Sequence, residues 1–252
     1  MSDPLVSVII PAYRCTATIC QAVDSALKQT VSLEILVIND CSPDDLDTVM
    51  SRYANEPAVH YIKNETNLGA AKTRNKGVAL AHGKYVAFLD ADDWWAEGKL
   101  SCQLSAMAQS GAVLCATARE LVTEDGKPVG RVLPIKERVT YKDLLRHNSI
   151  ACSSVLLETV VARQYPMHHE ELHEDYILWL EILKEYGWAY GINRPFLYYR
   201  CSKSGKSGSK LHSAGMTFRV YRQMGFGIGK SILLFSSYAI NGVWKYYLRK
   251  GK

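Results

Sequence analysis

Short apolar runs alternate with longer segments of helical periodicity along the first half of the chain. Runs rich in β-branched residues predict five strands, at residues 6–10, 33–38, 58–62, 85–89 and 112–116, with helical patterns between them. This β-α-β-α order predicts an α/β fold with a mostly parallel central sheet, right-handed crossovers and a ligand crevice at the carboxyl ends of the strands. We therefore expect the loops at that edge to carry the chemistry.

Local signals indicate where the helices begin. An apolar stripe from Ile19 to Leu27 predicts the first helix, and Thr18 with Gln21 has the spacing of a capping box. A later helix is expected to open after Gly69, and another to begin near Glu97.

The pattern changes after residue 116. Asp125-Gly126 lies between two apolar segments, 119–122 and 128–132, and predicts the turn of a β-hairpin. Short helices follow, and an acidic segment opens a further helix at about Leu172. We expect this half of the chain to shape a second pocket.

Composition adds limits to this picture. A chain of 252 residues that is 48% hydrophobic is long enough for one large core, or for a core with a lobe attached. The first strand follows the N-terminus almost at once, without a basic leader or a cleavage site, so we expect no signal peptide and a cytoplasmic chain. The seven cysteines form no C-x-x-C pair, which argues against a disulfide framework and against a thiolate zinc site.

Charge is distributed unevenly. All 25 acidic residues lie at or before Glu185, whereas residues 186–252 carry 12 Lys or Arg. Since the whole chain is +5, the remainder has a net charge of −7. A basic tail of this kind is typical of proteins that meet nucleic acid, an anionic membrane or a phosphorylated substrate, and composition does not choose among them.

The C-terminus favours the membrane. Residues 231–244 form an apolar stretch of 14 residues between Lys230 and Lys245, which is too short to span a bilayer because a spanning helix needs about 20. Aromatic residues and cations around its end are typical of an interfacial helix: Trp244, Tyr246, Tyr247, Arg249, Lys250 and Lys252. We expect this segment to dock on the inner face of the membrane; the alternative is a helix packed on the protein's own core.

Three carboxylates crowd the end of the fourth predicted strand. Asp90, Asp92 and Asp93 occupy four positions and would repel one another unless a cation lay among them. Oxygen ligands suit Mg²⁺ or Mn²⁺, and a metal that carries a phosphate is the expected guest. The alternative is that Asp92 and Asp93 only favour the N-terminus of the helix near Glu97.

The second predicted strand also ends in polar residues, Asn39 and Asp40. Parallel strands bring both acidic ends to one edge of the sheet, where a carboxylate can accept a hydrogen bond from a base or ribose. The alternative is an Asx turn closed by Asn39 or Ser42.

A third acidic group, Glu170, Glu171, Glu174 and Asp175, lies at the start of the helix near Leu172. One of these carboxylates could act as a general base, or all could complement the helix dipole. The same segment holds an H-E-x-x-H sequence from His169 to His173, which is typical of zinc hydrolases. Nucleotide motifs are incomplete: residues 225–231 are one residue short of a P-loop, and no G-x-G-x-x-G follows the first strand, so ATP and NAD are not expected.

Five segments, in this order and spacing, resemble the family 2 inverting glycosyltransferases: VSVIIPAY at 6–13, VIND at 37–40, NLGAAKTRNKG at 67–77, GKYVAFLDADD at 83–93 and EDYILWL at 174–180. The resemblance implies a GT-A fold, which is Rossmann-like, with a smaller acceptor-side region and C-terminal helices. It also implies a nucleotide-sugar donor, most often a UDP-sugar, and Mn²⁺ or Mg²⁺. The implied organisation is a GT-A domain at 1–210, with a nucleotide-sugar half at about 1–117 and an acceptor half at about 118–210, followed by a basic amphipathic helical tail at 211–252.

Carried over position by position, the resemblance assigns roles to eight residues. Pro11, Tyr13 and Asp40 would surround the base, and Lys72 or Arg74 would lie near the ribose or diphosphate. Asp90 would hold the ribose, Asp92 would ligate the metal, and Asp175 would be the base that takes the acceptor's proton.

The chain departs from the family in several places. Cys41 stands where many members have glycine. Many members also have a histidine soon after the position of Arg200, and this chain has Cys201-Ser-Lys-Ser there, so Lys203 or Lys206 is the candidate for contact with the diphosphate. A Q-x-x-R-W signature is missing, which favours transfer of one sugar per event. The implied activity is inverting transfer to a hydroxyl of a glycan or lipid-linked saccharide in surface polysaccharide biosynthesis, with no nucleic-acid partner. The rivals are a zinc hydrolase built on His169 and His173, and an inactive sugar-nucleotide-binding protein.

Overall fold

The computed structural model of the chain describes residues 4–201 and 210–243. The strands are β1 Val6–Ala12, β2 Leu33–Asn39, β3 Val59–Lys63, β4 Tyr85–Phe88, β5 Trp94–Trp95, β6 Leu114–Val122, β7 Pro128–Leu133, β8 Arg138–Thr140, β9 Leu156–Glu158 and β10 Trp188–Arg200. The helices are α1 Ile19–Leu27, α2 Leu46–Met50, α3 Ala70–Leu80, α4 Lys99–Ser110, α5 Tyr141–Arg146, α6 Thr159–Gln164, α7 Glu174–Tyr186, α8 Lys210–Gln223 and α9 Ile228–Val243, with 3₁₀ turns at Ser51–Tyr53 and Cys152–Ser154.

The strands form one sheet in the order β3-β2-β1-β4-β9-β6-β10-β5, with β7 on β6 and β8 on β10. The first four are parallel neighbours, and β6 is parallel to β10. The α/β fold predicted from the pattern is therefore confirmed. Because β1, β2 and β4 run in the same direction, their carboxyl ends meet at one edge.

Strand β6 is longer than predicted. Residues 112–116 and 119–122 were expected to form separate strands, but Leu114–Val122 is continuous and pairs along its length with β10. The irregularity lies in β10 instead, on both sides of Pro195, a residue that has no N–H to donate to the ladder. The predicted hairpin turn is confirmed, with Gly126 at a φ of 83°.

The predicted capping box at the first helix is wrong. Thr18 makes no side-chain cap hydrogen bond, and the Gln21 side chain is instead the acceptor of a hydrogen bond from Arg200. The helix expected near Glu97 begins at Lys99, because Trp94 and Trp95 first pair with β10. Asp92 and Asp93 therefore lie outside that helix, and the view that they only favour its N-terminus is wrong.

The core lies on both faces of the sheet. Successive residues of β1 alternate between the two, with Val8 and Ile10 in one cluster and Ile9 in the other. Helix α7 is the most buried helical element, and its Tyr176 and Trp179 are among the largest fully enclosed side chains. Burying side chains of this size stabilises the fold by about 1.5–3 kcal/mol each, so the start of α7 is held firmly against the sheet.

Helix α9 packs on α5 and α8 through one face, which includes Phe235 and Tyr238. Its exposed residues include the large apolar side chains of Ile228, Ile232, Leu233 and Ile240, together with Gly229, Lys230, Ser236 and Ala239. Within the described helices, none is both long and apolar enough to cross a bilayer. Lys203, Lys206, Trp244, Tyr246, Tyr247, Arg249, Lys250 and Lys252, to which the sequence assigned contacts, lie outside the described residues.

Candidate active site

A cleft of about 770 Å³ opens at the carboxyl edge of β1, β2 and β4. Six of the eight residues singled out from the sequence line it, and these are Pro11, Tyr13, Asp40, Arg74, Asp90 and Asp92. Lys72 points away, because it is exposed on α3 and does not line the cleft. Asp175, in the first turn of α7, does not line the cleft.

Asp40 is 3% exposed and organises the loop that leads into α3. Its Oδ1 accepts hydrogen bonds from the Asn64 side chain and from the Leu68 N–H, both at 2.8 Å. Its Oδ2 accepts the Gly69 N–H at 2.8 Å. The predicted Asx turn also exists, but Asn39 closes it by accepting the Ser42 N–H. The Asx turn is therefore confirmed for Asn39, whereas the role of Asp40 towards a base or ribose stays a prediction.

Arg74 links the cleft to α7. It is buried and donates to Asp90 at 2.6 Å and to Glu174 at 3.1 Å, and these residues are 16 and 100 positions away. Its Nε has no hydrogen-bond partner within the described part of the chain. The single positive charge of Arg74 is thus shared between an acid at the sheet edge and an acid beside Asp175.

The crowding of Asp90, Asp92 and Asp93 is relieved in three different ways. Asp90 pairs with Arg74, and its side chain is 30% exposed. Asp93 accepts the Arg200 N–H at 2.9 Å, and burial together with the charges of Asp90 and Asp92 raises its pKa well above the ordinary value. Burial, followed by the charge of Asp90, raises the pKa of Asp92 to about 6. Asp92 is therefore the cleft carboxylate whose ionised form a bound cation would stabilise most.

A divalent cation fits this chemistry. In residues 4–201 and 210–243, no group of three or more His, Cys, Asp or Glu side chains could hold a metal ion unaided. Since Asp90 is engaged by Arg74, the protein offers Asp92 as the main ligand. A metal would complete its shell with waters and the phosphates of a bound nucleotide, which is how Mg²⁺ is usually held.

Arg200 is a cleft residue that the sequence analysis did not single out. Its Nε donates to the Asp92 carbonyl at 2.7 Å, its Nη1 to the Glu124 carbonyl, and its Nη2 to the Gln21 side chain at 2.8 Å. It therefore ties the aspartate turn to α1 and to the β6-β7 hairpin. The available signal was its position as the last residue of a strand that ends at the same edge.

Asp175 occupies the first turn of α7, where its Oδ1 accepts the Tyr176 N–H at 2.7 Å. Burial, followed by the charge of Glu174, raises the pKa of Asp175 to about 6, and His173 and Arg74 oppose the shift. A carboxylate with this pKa is ionised at neutral pH and still basic enough to accept a proton.

The segment before α7 does not form the zinc site that the sequence allowed. His169 has a φ of 61°, and α7 begins only at Glu174, so His169 and His173 do not share a helix face. The zinc-hydrolase alternative is therefore wrong. Glu170 instead enters the cleft wall, where its carboxylate accepts the Ala70 N–H at the start of α3. A Cβ on Gly69 would overlap that carboxylate.

The α/β sheet with acidic residues at its carboxyl edge, and with Asp175 at the start of a neighbouring helix, has the arrangement that the resemblance to glycosyltransferases implies. The family model described as Glycosyl transferase family 2 matches residues 7–159. TuaG of Bacillus subtilis, which is named for teichuronic acid biosynthesis, is 34% identical over 245 residues, covering 96% of this chain and 97% of TuaG. The chain therefore belongs to the family 2 glycosyltransferases.

A further relative and two solved structures agree with this family assignment and with the fold. WfaP of Escherichia coli, named as a UDP-Glc:alpha-D-GlcNAc-diphosphoundecaprenol beta-1,3-glucosyltransferase, is 33% identical over 243 residues, which is 96% of this chain and 95% of WfaP. TarS of S. aureus, solved with UDP-GlcNAc, superposes with a TM-score of 0.74 at 18% identity, covering 98% of this chain and 74% of that one. PcManGT of Pyrobaculum calidifontis, solved with GDP-Man and Mn²⁺, gives a TM-score of 0.68 at 15% identity, covering 100% and 77%. The two structures confirm the GT-A fold.

Proposed function

We propose that the protein transfers one sugar per event from a UDP-sugar to a hydroxyl of a lipid-linked saccharide, with inversion, in the biosynthesis of a surface polysaccharide. The observation that carries the proposal is the convergence of Pro11, Tyr13, Asp40, Asp90 and Asp92 on one cleft at the carboxyl edge of the sheet. Membership of family 2, and UDP-Glc as the donor in the name of WfaP, support the same donor class.

In this proposal, Tyr13 and Pro11 flank the base of the nucleotide, Asp40 orders the loop around it, and Asp90 holds the ribose. Arg74 fixes the position of Asp90 through their ion pair at 2.6 Å. Asp92 is the protein ligand for Mn²⁺ or Mg²⁺. When bound, such an ion supplies positive charge that stabilises the departing diphosphate.

Asp175 is the general base. It takes the proton from the acceptor hydroxyl while that oxygen forms a bond to the anomeric carbon, and the bond from this carbon to the diphosphate oxygen breaks. UDP leaves with the electron pair. Because the attack comes from the face opposite the leaving group, a single displacement inverts the anomeric centre.

The name of WfaP supports a lipid-linked acceptor, because it specifies a diphosphoundecaprenol-linked saccharide. Such an acceptor is also consistent with the exposed apolar side chains of α9 and with the 12 Lys or Arg in residues 186–252. We propose that these side chains and the basic tail bind the cytoplasmic, anionic surface of the cell membrane. Each cation near such a surface contributes about 1 kcal/mol.

Transfer is tested by incubating the purified protein with UDP-sugars and a lipid-linked saccharide, with Mn²⁺ or with EDTA, and measuring released UDP. The proposal expects UDP release that depends on acceptor and metal. Binding of UDP without turnover of any donor would favour the inactive binding protein instead, and full activity in EDTA would remove the metal from the mechanism.

Membrane docking is tested by sedimentation with phosphatidylglycerol vesicles at low salt. Leu233 on α9 is 71% exposed, and Val160 on α6 is 69% exposed, so Leu233→Asp and Val160→Asp form a matched pair. We expect wild type and the Val160 variant to sediment and the Leu233 variant to lose binding, with salt weakening the interaction. Equal recovery of all three would contradict docking through these side chains of α9.

A further inference from the structure

Two arginines lie on one face of the β6-β7 hairpin. In the antiparallel register, Arg119 is opposite Leu133 and Arg131 is opposite Leu121. Paired residues share a face, and so do alternate residues of one strand, so Arg119 and Arg131 are diagonal neighbours. Diagonal positions are about 7–8 Å apart, which allows both guanidinium groups to reach one anion.

Arg119 is held in place from two sides. Its Nη1 is 3.4 Å from the Ser149 carbonyl oxygen, and its guanidinium carbon is 5.5 Å from the centre of the Tyr199 ring. Its Nε is buried and has no hydrogen-bond partner in the described chain. A buried N–H without an acceptor is uncommon and costs stability, unless a ligand supplies the acceptor.

Both cations lie close to the end of β10. Burial raises the pKa of the Cys201 thiol, the charge of Asp93 raises it further, and the charges of Arg119 and Arg131 oppose the shift. Cys201 directly follows Arg200, which binds the Asp92 carbonyl. The arginine pair is therefore next to the aspartate turn, although neither arginine lines the cleft itself.

Arg119 also contacts a segment that is linked to both the cleft and α9. The segment that carries Ser149 leads in one direction to Ser153, whose hydroxyl accepts the Asp90 N–H at 3.1 Å. In the other direction it leads to His147, whose ring is 5.8 Å from that of Tyr238 on α9. The segment that Arg119 contacts is therefore anchored to the cleft on one side and to the packed face of α9 on the other.

We propose that Arg119 and Arg131 bind the phosphate groups of the acceptor. Resting on the proposed function, this assigns the chemical class of the acceptor's linker, since a lipid-linked saccharide carries its phosphates between the lipid and the sugar. Guanidinium groups bind phosphate oxygens in a bidentate geometry. The donor's diphosphate is the other source of the same chemistry, and the experiment separates the two.

The test is calorimetric binding of decyl diphosphate to protein that is already saturated with UDP and Mn²⁺. The variants are Arg119→Gln and Arg131→Gln. Arg138→Gln is the matched control, because Arg138 is an exposed strand arginine that pairs with Tyr190 near the opposite end of β10. We expect wild type and the control to bind the probe, and the two variants to bind it about tenfold more weakly or worse, with the UDP affinity of all four proteins unchanged.

Three results would overturn the proposal: no binding of decyl diphosphate by wild type, equal binding by all four proteins, or a loss of UDP affinity in the two variants that matches their loss for the probe. The last result would assign the pair to the donor. If Arg119→Gln lowers the melting temperature, Arg119→Lys replaces it, with a smaller loss expected because the charge remains. Failure of transfer with every UDP-sugar would refute the proposed function without changing this binding result.

Discussion

Replacing Asp40 by asparagine changes one oxygen of a fully enclosed carboxylate into an NH₂ group. The carboxylate accepts three hydrogen bonds, from Asn64, Leu68 and Gly69, each at 2.8 Å. The least costly orientation keeps the remaining oxygen towards Asn64 and Leu68, and it turns the NH₂ group towards the Gly69 N–H. Two donors then face each other in a buried site.

The expected cost combines two effects. A hydrogen bond to a charged group contributes about 1.5–3 kcal/mol, and a buried donor left without an acceptor costs about 1–3 kcal/mol. Since the loop can relax in part, we expect Asp40→Asn to lower the free energy of unfolding by about 2–4 kcal/mol. For a chain of this size, that corresponds to a fall in melting temperature of about 5–15 °C.

Asp45→Asn is the matched control. Asp45 caps α2 by accepting the Thr48 N–H at 3.2 Å in an exposed position, and asparagine caps a helix about as well as aspartate. Thermal unfolding of the three proteins should therefore show a large shift for Asp40→Asn and almost none for Asp45→Asn. UDP affinity should fall with the first variant, because the displaced loop leads into α3 and Arg74. Equal shifts for both variants would refute the assigned role of Asp40.

Three further predictions concern ionisable residues. Asp175→Asn should lower turnover by about 10²–10⁴ with little effect on donor affinity. In wild type the rate should fall about tenfold per pH unit below pH 6, and the variant should not show this pH dependence. Glu174→Gln should lower turnover less, and the reverse order in steady-state kinetics would mean that Asp175 is not the base. Asp92→Asn should abolish transfer and Mn²⁺-dependent UDP binding without changing the melting temperature, and unchanged Mn²⁺ dependence would count against it. Burial lowers the pKa of Lys99 from 10.5 to about 7. Between these pH values the unfolded chain binds more protons than the folded chain, so the free energy of unfolding should rise with pH from 7 to 10. A Lys99→Met variant should show a smaller rise in thermal unfolding.

The elements that position the donor residues could be predicted because their signals are local. Strands β1, β2 and β4 are each predicted by an apolar run in the sequence. Because they pair in parallel, Asp40 and Asp90 lie at the same edge of the sheet. Errors arose where a distant residue competed for a side chain. Gln21 has the spacing of a capping box, but Arg200, 179 positions away, binds it instead.

The same reasoning explains contacts that the sequence did not predict. Glu170 enters the cleft because it binds the N–H of Ala70, 100 positions earlier, and the H-E-x-x-H spacing suggested a helix that begins only later. Arg74 lines the cleft, and its role at the ribose or diphosphate stays a prediction. Its ion pairs with Asp90 and Glu174 depend on where the fold places the end of β4 and the start of α7. Such contacts have no period along the chain, so the sequence carries no direct signal for them.

The configuration of the new glycosidic bond tests the central claim most directly. A UDP-α-sugar and a saccharide acceptor are incubated with the wild-type protein and Mn²⁺, and the anomeric signal of the first-formed product is read by NMR. The account predicts a β-linked product that is absent when Asp175→Asn replaces wild type. An α-linked product, or an unchanged yield from the variant, would contradict single displacement with Asp175 as the base.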